Sequence, residues 1–226
     1  MLILAIDTAS IYCAVALIHH QSVVSCISER MSKGHAEKLI GQIAEVTNQA
    51  NITLDQVDRI AVNIGPGSFT GVRVGVSTAR ALALALEIPA IGVSALEALA
   101  AQTNKQHPTS TVTVVIEAGR GMFYHQNFNN DLTAMSAPGL KTLEQITSDL
   151  PQQTILTGPA TDIIMLHLKN NKIDKLIFDQ IPCEAADIAI YAYLAANKQT
   201  QTPPHPLYLR DADAKQQTNF ALPRKK

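Results

Sequence analysis

The sequence predicts an α/β protein built as two units, each a mixed sheet flanked by helices. Three observations lead there. Apolar, β-branched runs open the chain and then alternate with segments of helical periodicity; a polar, proline-containing stretch, Asn104–Ser110, interrupts that order; after it the order starts again. A chain of 226 residues fits either one large α/β domain or two of about 100 residues. The interruption favours two, and we place them at residues 1–105 and 106–226.

The elements follow in order. Leu2–Ile6, Cys13–Ile18 and Ser22–Ser28 read as strands, the last two joined by a tight turn at His19-His20-Gln21. From Gly34 to Ala50 the apolar residues Ala36, Leu39, Ile40, Ile43, Val46 and Ala50 recur at helical spacing. A strand at Arg59–Ile64, a glycine-rich turn, a helix at Phe69–Leu86, a strand at Ala90–Val93 and a helix at Ala95–Gln102 complete the first unit. In the second, Thr111–Glu117 and Met122–Asn127 are paired strands and Leu143–Leu150 a short helix. Thr154–Thr157 (strand), Thr161–Lys169 (helix), Leu176–Asp179 (strand) and Glu184–Ala196 (helix) follow, and a loop leads to a short extended piece at Leu207–Arg210. There is no short repeat, low-complexity tract or heptad run.

With 46% hydrophobic and 16% charged residues, the chain has the composition of a globular protein with a real core. Eighteen basic residues against nineteen acidic ones leave a net charge of −1, so no global positive field holds a polyanion. The basic cluster Arg224-Lys225-Lys226 reads as a solvated tail. Cys13, Cys26 and Cys183 are far apart and lack metal-ligand spacing, which points to reduced structural thiols. The first residues do not read as a signal peptide, and the apolar stretch Ala81–Leu86, cut by Glu87 and Pro89, falls short of a membrane span. A cytoplasmic protein without a membrane segment is the expectation.

The most informative segment is Ile64-Gly-Pro-Gly-Ser-Phe-Thr-Gly-Val-Arg-Val-Gly75, between a strand and a helix. Backbone N–H groups at such a junction favour anions. It is not a Walker A loop, because no Gly-Lys-Ser/Thr follows, and its GxGxxxG spacing with Pro66 inside is not a dinucleotide fingerprint. The alternative is a structural turn with Ser68 as helix N-cap. Beyond it, Gly71, Gly75, Ala79 and Ala83 recur every fourth residue, a small-residue stripe that lets another helix approach closely, either the chain's own first helix or a partner's. Asp7-Thr-Ala-Ser10 closes the first strand, where a carboxylate could orient a metal-bound phosphate or simply cap a turn. No HExxH or His-x-x-x-His pair exists among the seven histidines, and Gly92-Val-Ser94 is not a nucleophile elbow. No metal, cofactor or catalytic residue is expected.

Three strings together, Leu-Ala-Ile-Asp7-Thr-Ala-Ser10, Gly65-Pro-Gly-Ser-Phe-Thr-Gly-Val-Arg-Val-Gly75 and Ile88-Pro-Ala-Ile-Gly-Val-Ser-Ala-Leu96, resemble the TsaB (YeaZ) family. The match is dense over roughly the first hundred residues and looser afterwards, where Glu117-Ala-Gly-Arg120 stands for the family's usual Asp-Ala-Arg-Arg. The resemblance implies a two-lobed actin-like ATPase fold (ASKHA, ribonuclease H-like). It also implies a role in making threonylcarbamoyladenosine next to the anticodon of tRNAs reading codons that begin with adenine. Such proteins pair with the related catalytic subunit TsaD, joined by the ATPase TsaE, and contact tRNA only through the complex; in isolation a homodimer is the alternative.

The resemblance puts the partner interface on two helices, at Gly71, Gly75, Ala79 and Ala83 and at His35, Leu39 and Ile43. It marks Asp7, Thr8, Ser10, Gly65 and Gly67 as a vestigial nucleotide-facing set. In the catalytic relative a His-x-x-x-His pair on the helix after the Pro-Ala-Ile strand helps bind a metal; Ala95 and Leu99 stand at those places here. The expected role is therefore a non-catalytic scaffold, and the competing one an actin-like ATPase or glycoprotease-type enzyme acting alone.

Overall fold

The computed structural model describes residues 1–172, 177–199 and 202–210. Strands β1 (Leu2–Asp7), β2 (Tyr12–His19), β3 (Ser22–Arg30), β4 (Arg59–Asn63) and β5 (Ala90–Val93) form one sheet in the order β3-β2-β1-β4-β5. The pairs β1–β2 and β2–β3 are antiparallel; β1–β4 and β4–β5 are parallel. A second sheet, β10-β9-β6-β7-β8, repeats this plan with β6 (Thr111–Gly119), β7 (Met122–Phe128), β8 (Gly139–Thr142), β9 (Thr154–Gly158) and β10 (Ile177–Pro182). Its antiparallel pairs are β6–β7 and β7–β8, its parallel pairs β6–β9 and β9–β10. Each half thus runs through three strands, a helix, a strand, a helix, a strand and a helix, the parallel crossovers being helical as geometry requires.

Helices α1 (His35–Ala50) and α2 (Phe69–Leu86) cover the outer face of the first sheet, α4 (Leu143–Asp149) and α5 (Thr161–Asn170) that of the second. The third helix of each half crosses over: α3 (Ala95–Gln106) packs on β6, β7 and β9, α6 (Ile188–Asn197) on β1, β2, β4 and β5, and the two touch. That sandwich explains the continuous apolar run of β1, whose six residues are all buried. Leu2, Leu4 and Ile6 face the core under α1 and α2, while Ile3 and Ala5 face the central core shared with α3 and α6. Helices α3 and α6 are apolar over most of their circumference because both sides meet protein.

Local chemistry sets the ends. Gly34 (φ 89) and Asn51 (φ 51) bracket α1 in the left-handed region, and the Ser94 hydroxyl accepts from the N–H groups of Leu96 and Glu97 to open α3. Two expectations need correction. Helix α6 starts at Ile188, with Asp187 as its cap, so Glu184–Asp187 is loop and not helix. Strand β8 was not anticipated: its four residues are all half-buried and lack an apolar alternation. Residue 176 of the expected last strand, residues 200–201 of the following loop and the basic cluster at 224–226 lie outside the described residues. Helix α2 is long and apolar enough, by length and composition, to cross a membrane; here one side of it packs on its own sheet and the other carries Arg73 and Arg80.

Candidate functional site

The C-terminal end of β1 is where the two halves meet. Asp7 is fully buried, and its Oδ1 accepts from the N–H of Ala9 (2.8 Å), the N–H of Ser10 (3.2 Å) and Nδ2 of Asn63 (2.9 Å). Burial raises the carboxyl pKa above its ordinary value, and those hydrogen bonds oppose the rise. Asn63, at the end of β4, also donates to the Tyr191 hydroxyl (3.0 Å) of α6 and accepts from the N–H of Gly65 (2.8 Å). Burial raises the Tyr191 pKa well above the usual phenol value, so the hydroxyl stays protonated. Asp7, Asn63 and Tyr191 form a buried polar chain that ties β1, β4 and the last helix together.

The glycine-rich segment is consumed by docking onto this strand end. The peptide bond between Gly65 and Pro66 is cis, and Gly65 has φ 95. A Cβ on Gly67 would run into the Ala9 carbonyl oxygen, and one on Gly71 into that of Thr8, so only glycine lets the start of α2 lie on residues 8–9. Ser68 caps the helix, its hydroxyl accepting from the Gly71 N–H (3.2 Å) and its own N–H donating to Ala9 O (2.8 Å). Thr8 Oγ1 donates to Gly71 O at 2.6 Å.

This arrangement corrects several residue roles. Gly71 and Gly75 lie against the end of β1 and β4: a Cβ on Gly71 would meet the Thr8 carbonyl, and one on Gly75 would meet Thr8 Oγ1, Val62 and Ile6; Ala79 has no exposed surface and belongs to the core that α1 and α2 share with the sheet. Ala83 is half-buried against the same core, and Leu39 and Ile43 belong to it outright. Asp7 and Thr8 point inward to protein partners, and a phosphate could not reach them without displacing those bonds. Of the nucleotide-facing set, Ser10 and Gly67 line a cleft and Gly65 does not.

That cleft, about 710 Å³, lies between the halves, walled by Gly67 and Ser68, His35 at the start of α1, Ala95 and Leu99 of α3, and Glu117 of β6. His35 Nε2 is buried without a hydrogen-bond partner among the described residues. Glu184 closes one side, meeting Arg30 Nη2 at 2.9 Å and accepting from the Tyr12 hydroxyl at 3.2 Å. Sequence reasoning missed Asn63, Tyr191, Tyr12, Arg30 and Glu184; their partners lie 56 to 172 residues away, and no local motif joins them. Ala95 and Leu99, one turn apart on α3, both line the cleft and carry no atom that could ligate a metal.

The outward faces of α1 and α2 carry apolar and small residues among their charged ones. Ile40 is 60% exposed and Leu84 82%, with the small residues Gly41, Ala44, Ser77 and Ala81 also on the surface.

Two sheets of matching topology, with one helix from each half packed between them, define a two-lobed α/β protein of the actin-like class. Residues 19–217 match the family model described as TsaD: tRNA N6-adenosine threonylcarbamoyltransferase. The chain belongs to that family, on its TsaB (YeaZ) branch. It is 30% identical over 169 residues to a tRNA threonylcarbamoyladenosine biosynthesis protein TsaB of Buchnera aphidicola subsp. Baizongia pistaciae, covering 71% of this chain and 76% of that one. It is 35% identical over 133 residues to the protein of the same name from Buchnera aphidicola subsp. Schizaphis graminum, covering 58% and 63%. In several such curated relatives the match spans only about half to under two thirds of their length. A Pseudomonas aeruginosa crystal structure, described as similar to peptidase YEAZ, superposes with a TM-score of 0.79 at 22% identity over 92% of this chain and 99% of that one, a likeness of fold.

Proposed function

We propose that the chain is a non-catalytic, cytoplasmic partner subunit in the formation of threonylcarbamoyladenosine on tRNAs that read codons beginning with adenine, pairing with a TsaD catalytic subunit and the ATPase TsaE. Its two lobes we take as residues 1–105 and 106–226. The observation that carries the non-catalytic reading is the apolar wall of α3: Ala95 and Leu99 line the cleft, at the two positions that the family resemblance aligns with metal-binding histidines of the catalytic relative. The partner surface we place on the outward faces of α1 and α2, around Ile40, Gly41, Ala44, Ser77, Ala81 and Leu84, because apolar and small side chains exposed side by side suit close helix packing. The same surface could hold a second copy of the chain when no partner is present.

The test combines the purified chain with TsaD and TsaE relatives, threonylcarbamoyl-adenylate, ATP and unmodified tRNA, followed by mass spectrometry of the digested nucleosides. The modified nucleoside is expected only when the chain and TsaD are both present, and native mass spectrometry should show a complex of the two. Transfer by the chain alone would overturn the scaffold role.

A further inference from the structure

We propose that the exposed cluster of Phe69, Arg73 and Tyr208, with the groove beside it, receives an unpaired nucleotide of an RNA strand; this rests on the reading above that tRNA is what the assembled complex modifies. Phe69 and Arg73 lie one turn apart on α2. Tyr208 comes from the extended segment 207–210, anchored by the Leu207 N–H on Ile64 O at 2.8 Å. The Phe69 and Tyr208 ring centroids are 5.7 Å apart at 38°. The Arg73 guanidinium carbon lies 3.8 Å from the Phe69 centroid and 5.6 Å from that of Tyr208, and its Nε donates to the Tyr208 hydroxyl at 2.7 Å.

Three features select the ligand. Phe69 (54%) and Tyr208 (51%) are the two exposed phenylalanine or tyrosine side chains among the described residues, so both rings are partly open to solvent. A nucleobase stacks on such a ring whatever its identity. Next, with Nε fixed, the two terminal nitrogens of Arg73 form a held fork that meets no described carboxylate, and that fork matches a phosphate. Helix α2 adds Arg80 and contains no acidic residue. Finally, the adjoining groove, about 450 Å³, is lined by Tyr124, Leu207, Leu209 and Arg210, and its size suits a nucleoside. The cluster lies open at the surface, which lets a strand continue on both sides. Grip is modest: two engaged arginines release about two counterions, so the logarithm of affinity falls with that of salt with a slope of about −1.4. The net charge of −1 agrees with weak binding by the chain alone.

The experiment titrates the full chain against a fluorescein-labelled, unstructured RNA oligonucleotide at low and moderate salt and reads anisotropy. Binding in the micromolar range or weaker is expected at low salt. Phe69→Ala and Tyr208→Ala should each weaken it roughly five- to a hundredfold. Arg73→Ala should also weaken it and make the salt slope shallower by about 0.7, whereas Arg73→Lys should keep the slope and lose only part of the affinity. Leu166→Ala, an exposed position on α5 of the other half, is the control, with RNA affinity unchanged. No RNA binding at low salt, equal binding by the variants, or adenosine monophosphate binding as tightly as the oligonucleotide would overturn the proposal. So would variants that keep RNA but fail to join TsaD, which would make the cluster a protein contact. RNA affinity lost in the variants while the wild-type chain ignores TsaD would uphold this site and remove the assembly reading instead.

Discussion

His125 provides a measurable test of the second lobe's core. It lies on β7 beside Phe123, beneath α4, with no exposed surface and with neither ring nitrogen hydrogen-bonded among the described residues. Burial lowers its pKa to about 4; Lys141 reinforces the fall and Asp149 opposes it. The folded state therefore holds a neutral imidazole, and the unfolded chain takes up a proton below about 6.5. The sign follows: stability is fully present above the unfolded pKa and is lost as pH falls towards the folded one. Between pH 7 and 5, linkage with these two pKa values removes roughly 2 kcal/mol through this residue. His125→Leu removes the titration and suits the apolar surroundings of Val115, Ile146 and Leu150. Urea unfolding of both proteins at pH 7 and pH 5 should show the wild type losing about 2 kcal/mol more than the variant over that interval. Parallel losses, within about 0.5 kcal/mol, would refute the claim that this imidazole is buried neutral.

The two sides of α2 should respond in opposite ways. Ala79→Arg forces a charge into the core under the sheet and should prevent folding or lower the melting temperature sharply, while Leu84→Arg should melt like the wild type and bind TsaD at least tenfold more weakly by calorimetry. Gly71→Ala puts a Cβ against the Thr8 carbonyl and should cost roughly 1–3 kcal/mol in chemical denaturation. Arg59, from β4, holds the carbonyls of Ala195 (2.6 Å), Ala196 (3.2 Å) and Lys198 (2.8 Å) at the C-terminus of α6; Arg59→Met should destabilise by about 2 kcal/mol, and an unchanged urea midpoint would show that this end of the helix needs no cation.

Much of the architecture is legible in local pattern. Continuous apolar runs and period-3.6 spacing place β1, β2, β4, α1 and α2 to within a residue or two, because a strand covered on both faces and a helix covered on one leave different apolar signatures. Ser68 as the cap of α2 is readable for the same reason, since the N-cap bond spans only three residues. Where an edge strand is short and half-buried, as β8 is, no signature remains. The candidate site was less legible. Asp7 stood out by its place at the end of β1, but its partner Asn63 lies in another strand and Tyr191, joined through Asn63, in the last helix, and neither sits in a motif.

The sequence by itself determined that Gly71, Gly75 and Ala79 share one helical face, because 3.6 residues per turn is a property of the backbone. Only the tertiary structure decided what that face meets. The helix is joined to β1 by contacts more than sixty residues apart, such as Thr8 with Gly71, and these turn the small side chains onto the sheet and leave Phe69, Arg73 and Leu84 outside. Periodicity reports which residues lie together on a helix; the direction they face is set by packing between distant segments, which local spacing does not encode.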